Sequence, residues 1–198
     1  MKILVSTKNK HKLKEIREIL DDIGIDVESV YGYVDDLEVE ETGNSFDENA
    51  ALKAVELSRY TDEYVIADDS GVVVDYLNGE PGIYSARYAG VGSSDEDNNR
   101  LLLEKLKGVP FEKRGAKYVC VIALAKNGNL IKTFHGKCPG FIAEVYKGKN
   151  GFGYDPIFVL PDGRHMAELD PEEKNKISHR YYALVDLKNF LKHILLNE

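Results

Sequence analysis

Apolar positions recur along this chain in two rhythms, and the changes of rhythm mark out its elements. Residues 2–6, Lys-Ile-Leu-Val-Ser, are a short apolar run and predict a first buried strand. Leu13, Ile16, Leu20 and Ile23 then repeat at three- and four-residue steps, which predicts a helix with one apolar face and Asn9 as its N-cap. A second strand is expected at 26–30. Ser45 and Glu48 read as a capping box opening a helix to about Tyr60, with Phe46, Ala50, Ala54 and Leu57 as its core stripe. Asn49 and Lys53, four apart, share another face of it. Residues 64–67 and 72–74 read as two strands flanking Asp68-Asp69-Ser70-Gly71, with Gly71 allowing a tight turn or bulge. Ser93 or Ser94 caps a helix through Leu106. Residues 116–126 suit a central strand, Asn127-Gly128 a hairpin turn, and 130–135, 141–145 and 157–160 further strands. Asp170 followed by Pro171 starts a helix, and Ser178-His179-Arg180 falls inside it or at a break. Tyr181, Leu184, Val185, Leu187 and Leu191 carry a final amphipathic helix. The whole reads as one α/β domain over 1–198, an elongated mixed central sheet flanked by helices.

Composition narrows the function classes. A net charge of −8 argues against a broad nucleic-acid groove. No apolar run reaches membrane-span length, and no signal peptide is visible. Cys120 and Cys138 have no CxxC spacing and read as free thiols of a cytoplasmic protein. Within the acidic total, basic residues gather at two places: Lys8, Lys10, His11, Lys12 and Lys14, and Lys174, Lys176, His179 and Arg180. Two local basic clusters suit a small polyanion.

The first cluster sits at a strand-to-helix junction. Cations there are unfavourable against the helix dipole unless an anion offsets them, so a phosphate is expected beside them. Acids dominate Asp35, Asp36, Glu38, Glu40 and Glu41. The adjacent Asp68 and Asp69 cannot both enter an apolar core unpaired. Such a pair holds a hard cation such as Mg2+, takes a proton from water, or simply makes a polar turn. No G-x-x-x-x-G-K-[ST] pattern occurs, which argues against an ordinary ATPase or GTPase. A nucleotide-binding module without catalysis would need the basic loop but not the acids.

Six segments taken in order carry a resemblance. They are T-K-N-K-H-K at 7–12, E-E-T-G-N-S-F-D-E-N-A at 40–50, A-D-D-S-G at 67–71, P-G-I-Y-S-A-R-Y-A-G at 81–90, G-F-G-Y-D-P at 151–156 and E-K-N-K-I-S-H-R at 173–180. Together they closely resemble the inosine/xanthosine triphosphate pyrophosphatase family across nearly the whole chain, with Lys8 where that family usually has Gly. The resemblance implies two lobes with a nucleotide cleft and a homodimer. It also implies Mg2+-dependent cleavage of inosine, deoxyinosine or xanthosine triphosphate to the monophosphate and pyrophosphate. It assigns Thr7, Lys8, Asn9, Lys10, His11 and Lys12 to the triphosphate loop, with Lys53 as a further phosphate contact. Glu40 and Asp69 become metal ligands, Asp69 also the proton acceptor, and Ser70 a substrate contact. Phe152, Gly153, Tyr154, Asp155, Lys174, His179 and Arg180 become the nucleotide and base pocket. Phe152 offers a flat face for a purine, and His179 and Arg180 could donate to a 6-oxo oxygen that adenine lacks.

Overall fold

A computed structural model describes residues 1–34 and 37–195, the last of these by backbone only. Asp35 and Asp36 of the acidic run lie outside the described residues. Among the described residues six strands form one sheet: β1 (Lys2–Val5), β2 (Asp26–Ser29), β3 (Tyr64–Val74), β4 (Gly115–Lys126), β5 (Asn129–Ile142) and β6 (Phe158–Val159), in the order β2-β1-β3-β4-β5-β6. The β1 strand pairs in parallel with β2 and with β3, and β5 pairs antiparallel with β6, so the sheet is mixed. Asn127 and Gly128 join β4 to β5 at φ 50° and 74°, the left-handed pair that a two-residue hairpin requires. The helices are α1 (Lys10–Leu20), α2 (Phe46–Leu57), α3 (Asp95–Lys105), α4 (Pro171–Ile177) and α5 (His179–Leu195). No helix among the described residues is long and apolar enough to cross a membrane.

The chain divides into two compact units. The first comprises Met1–Asp69, Cys120–Gly136 and the chain from Arg180 onward. Its core joins Ile3 and Val5 of β1, Ile16 and Leu20 of α1, Ile122 and Leu124 of β4, and Leu184, Leu187 and Leu191 of α5. On α1 it is the predicted apolar stripe that turns inward. The second unit comprises Ser70–Val119 and Lys137–His179. Its core gathers Val72 and Val74 of β3, Leu102 and Leu106 around α3, Tyr118 of β4, and Ile157 and Phe158. Arg114, 3 % exposed, donates to the carbonyls of Leu106, Val109 and Ala143 and so ties off the end of α3 within that unit.

Most caps fall where the residue types placed them. The Asn9 side chain accepts from the amides of His11 and Lys12, and Ser94 and Asp97 form a complete capping box. Asp170 accepts from the Glu173 amide ahead of Pro171. The helix break is at Ser178, whose ψ of 155° is extended. Three local readings are corrected. The α2 helix stops at Leu57 and 58–60 continue as a 3-10 turn. The strands expected at 130–135 and 141–145 are one, β5. Asp68-Asp69-Ser70-Gly71 is not a turn, because β3 runs through it unbroken. Gly71 is required there for a different reason: a Cβ would meet the Gly82 carbonyl and Ser85 Oγ at 2.4 Å each. Its missing side chain admits the 3-10 turn Gly82–Arg87, where Ser85 Oγ accepts from the Val72 amide at 2.9 Å and donates to the Gly82 carbonyl at 2.6 Å.

Candidate active site

In the first unit the chain leaves β1 at Val5 and turns through Ser6, Thr7, Lys8 and Asn9 into α1. Buried Thr7 braces the turn: its Oγ1 accepts from the Asn9 amide at 3.1 Å and its carbonyl from Ser29 Oγ at 3.1 Å. Asn9 Oδ1 accepts from the His11 amide at 2.9 Å and the Lys12 amide at 3.3 Å. The cap thus satisfies first-turn amides from within, and what the loop presents outward is the exposed side chains of Lys8, Lys10 and His11. Lys8 Nζ lies 3.7 Å from the Glu38 carboxylate and 5.0 Å from the centre of the Tyr31 ring. Lys12 turns back and donates to Asp68 Oδ1 at 3.0 Å.

Asp68 and Asp69 are successive residues of one strand, so their side chains leave opposite faces of the sheet. That divides two neighbouring carboxylates between two environments. Asp68, 3 % exposed, accepts on Oδ1 from Lys12 and on Oδ2 from Arg180 Nη2 at 3.1 Å and Nε at 3.3 Å. Arg180 is itself 1 % exposed and donates through Nη1 to Glu15 Oε2 at 2.5 Å. Burial disfavours the Asp68 charge, but Lys12, Arg180 and Lys53 outweigh it and hold the carboxyl far below the usual range. Asp69 is the opposite case. It is 6 % exposed, its Oδ1 lies 3.6 Å from Lys53 Nζ, and its Oδ2 has no hydrogen-bond partner among the described residues. Burial pushes its carboxyl up to about 6; Glu41 and Asp68 add to the shift, while Lys53 and Lys12 oppose it.

Lys53 comes from α2, where the capping of Ser45 and the inward stripe of Ala50, Ala54 and Leu57 set the helix against the sheet. Its Nζ donates to Glu41 Oε1 and to the Asp68 carbonyl, both at 2.8 Å. Burial opposes its charge, but Asp69, Asp68 and Glu41 outweigh that and raise its pKa. Glu41 therefore belongs to the network, while Glu40 is exposed beside it. Among the described residues no three His, Cys, Asp or Glu side chains gather as a ready metal cage. Mg2+ does not need one, since it usually takes one or two carboxylates and completes its shell with phosphate oxygens and water. A buried carboxylate oxygen with no partner fits that donor set.

A second centre forms within the second unit. Asp155, 3 % exposed, accepts on Oδ1 from Tyr118 Oη at 2.9 Å, and on Oδ2 from Lys174 Nζ at 2.9 Å and the Phe152 amide at 3.1 Å. Lys174 Nζ lies 4.4 Å from the centre of the Phe152 ring, a cation–π contact that fixes the ring's outlook. Gly151 makes this possible: at φ 77°, a Cβ there would stand 2.0 Å from Asp155 Oδ2. Gly153 is held through its amide by Asp95 at 2.7 Å and through its carbonyl by Asn99 at 3.0 Å. Tyr154 Oη donates to the Ser85 carbonyl at 2.7 Å, which makes Tyr154 a buried brace. His179, 5 % exposed, stacks on Tyr118 with centroids 4.6 Å apart and planes at 8°. Ser70 is half-buried in this unit.

Eight of the sequence-predicted residues thus fall into two groups. Lys12, Lys53, Asp69 and Arg180 share the acidic network, and Phe152, Asp155, Lys174 and His179 share the aromatic one. Glu15, Glu41 and Tyr118 join them without having been expected as site residues. Glu15 had a local signal, three residues after Lys12 on the same helix. Tyr118 carried no signal, because an aromatic in an apolar strand reads as core.

The model of the Ham1 family matches residues 3–190. The dITP/XTP pyrophosphatase of Geobacillus kaustophilus is 48 % identical over 186 residues, covering 93 % of this chain and 91 % of that one. The dITP/XTP pyrophosphatase of Bacillus licheniformis is 47 % identical over 190 residues, covering 96 % and 97 %. The Staphylococcus aureus Ham1 protein superposes with a TM-score of 0.88 at 43 % identity over 98 % of this chain and 99 % of that one. A HAM1 protein from Coxiella burnetii gives 0.89 at 41 % identity with the same coverage.

Proposed function

This chain belongs to the Ham1 family, and on that footing we propose that it hydrolyses deaminated purine nucleoside triphosphates to the monophosphate and pyrophosphate. The observation that carries the reading is Asp69, a buried carboxylate with one oxygen unpartnered among the described residues, set among lysines in an acidic protein. A non-catalytic nucleotide binder would have no use for such a group, since a buried carboxylate short of partners only costs stability.

In this reading Lys8, Lys10, His11 and Lys12 meet the triphosphate, with Lys53 supplying a further charge. Asp69 accepts the proton of the attacking water. The water oxygen bonds to the α-phosphorus, the bond from that phosphorus to the α–β bridging oxygen breaks, and pyrophosphate leaves. Asp69, with Glu40, would hold Mg2+, which when bound neutralises phosphate charge and makes the water easier to deprotonate. Phe152 stacks on the purine, and His179 donates to the 6-oxo oxygen. Adenine presents an amino group there and leaves that donor unpaired, a mismatch that a desolvated site can turn into about 10^2-fold or greater discrimination. Arg180 spends its guanidinium on Asp68 and Glu15, so it acts one step back from the nucleotide, holding Asp68, which holds Lys12.

We take the protein to act as a homodimer through the segment 81–88, where Tyr84 is 56 % exposed. The test of the activity is a panel of inosine, xanthosine, adenosine and guanosine triphosphates, with pyrophosphate and orthophosphate measured separately. Pyrophosphate from the first two, at kcat/KM at least about 10^2-fold above the others, is the expected result. Orthophosphate as the product, or equal rates on all four, overturns the reading.

A further inference from the structure

Tyr118 joins the groups of the aromatic centre. Its hydroxyl donates to Asp155 Oδ1, and Asp155 through its other oxygen holds both the Lys174 ammonium and the Phe152 amide. The face of its ring carries the His179 imidazole at 4.6 Å, nearly parallel. Its other ring neighbour, Phe158 at 4.4 Å and 40°, anchors it in the core of the second unit. At 6 % exposure Tyr118 has little surface to offer a ligand. Its hydroxyl acts through Asp155 on the partly exposed Phe152, and its ring packs against His179.

We infer that Tyr118 is a positioning residue for base recognition, setting His179 by stacking and the Phe152–Lys174 pair through Asp155, so that the site selects a 6-oxo purine. This rests on the proposed function above. The physical argument is that discrimination depends on placement. A donor displaced by a fraction of an ångström still binds a purine but no longer separates an acceptor from a donor at position 6. A β-strand residue held through both its ring and its hydroxyl is a stiffer reference for such placement than the loop carrying Phe152.

The test compares Tyr118→Phe with the wild-type enzyme on inosine and adenosine triphosphates, alongside thermal melting. The phenylalanine keeps the packing, so the fold is expected to survive, but it unties the ring from Asp155, so the stack under His179 and the Phe152–Lys174 pair both lose their tether. The expected result is a roughly tenfold smaller ratio of kcat/KM for inosine over adenosine triphosphate. The loss should lie in KM for the inosine nucleotide, with kcat within about twofold. Asp155→Asn should give a similar loss, and the double variant should lose no more than Asp155→Asn alone, because the hydroxyl acts through that carboxylate. A wild-type preference that Tyr118→Phe leaves within twofold, even with a lowered melting temperature, overturns this inference alone. A wild-type enzyme with no preference overturns the proposed function and this inference with it. If Tyr118→Phe does not fold, binding of inosine and adenosine monophosphates to Asp155→Asn decides: an unchanged preference there also overturns it.

Discussion

At Asp69 the fold holds a carboxylate where its charge is poorly stabilised, and that leaves a thermodynamic signature independent of turnover. An unfolded Asp ionises near 3.9, whereas here burial raises the value to about 6. The native state therefore binds this proton more tightly than the unfolded chain does. The group is harmless below about pH 4, and destabilises the native state progressively as pH rises through about 6. Above that the full cost is of order 2–3 kcal/mol. Asp69→Asn should thus raise the denaturation midpoint at pH 7 in chelator, and lose the advantage near pH 4, while kcat falls at least about 10^2-fold. A variant less stable than wild type at pH 7 in chelator would sink this account. His179 and Arg180 are neighbours in sequence with separable effects. His179→Ala should narrow the preference for inosine over adenosine triphosphate. Arg180→Lys keeps the charge but loses the planar fork on Asp68 and Glu15, so it should weaken both nucleotides by the same factor. Titration calorimetry with a slowly hydrolysed analogue of each nucleotide checks this, and a change confined to the inosine form would return Arg180 to the base.

The β3 strand teaches the most about what local pattern conveys. Polar residues followed by glycine between apolar runs have the look of a turn, and single-chain propensity supports that. The strand continues because both carboxylates find cations on either face of the sheet: Lys12 and Arg180 for Asp68, Lys53 for Asp69. Those partners lie 16 to 112 residues away in sequence, so no short window along the chain contains them. Gly71 has the local look of a hinge, yet its role is to let a neighbouring turn approach. Gly71→Ala should therefore destabilise by overpacking, by about 1–3 kcal/mol, through contact with Gly82 and Ser85. Chemical denaturation reads this loss, and a Gly71→Ala variant within about 0.5 kcal/mol of wild type would remove the steric cause. The caps at Asn9, Ser94 and Asp170 were legible because a cap acts within four residues.

For the molecule as a whole, the prediction is assembly. Sedimentation at micromolar concentration should show a species of twice the 22.2 kDa chain mass, and Tyr84→Asp should shift it toward monomer. A wild-type chain that stays at 22.2 kDa removes the dimer from the account.

The α/β class, the caps and the family were all determined by the amino-acid sequence alone. Apolar periodicity and capping act over a few residues, and six short motifs in order are too specific to arise from composition. Lys12, Lys53, Asp69, Phe152 and His179 were also named from sequence, through the resemblance. Only the tertiary structure decided the parts these residues play in the network. It gave both oxygens of Asp68 cationic partners and left one oxygen of its neighbour Asp69 with no hydrogen-bond partner among the described residues. It brought Glu41 to Lys53. It turned Arg180 onto Asp68 and Glu15, and made a core tyrosine the link between Asp155 and His179. The reason is that burial and charge partnership are properties of the surroundings, and two adjacent residues of a strand face different surroundings.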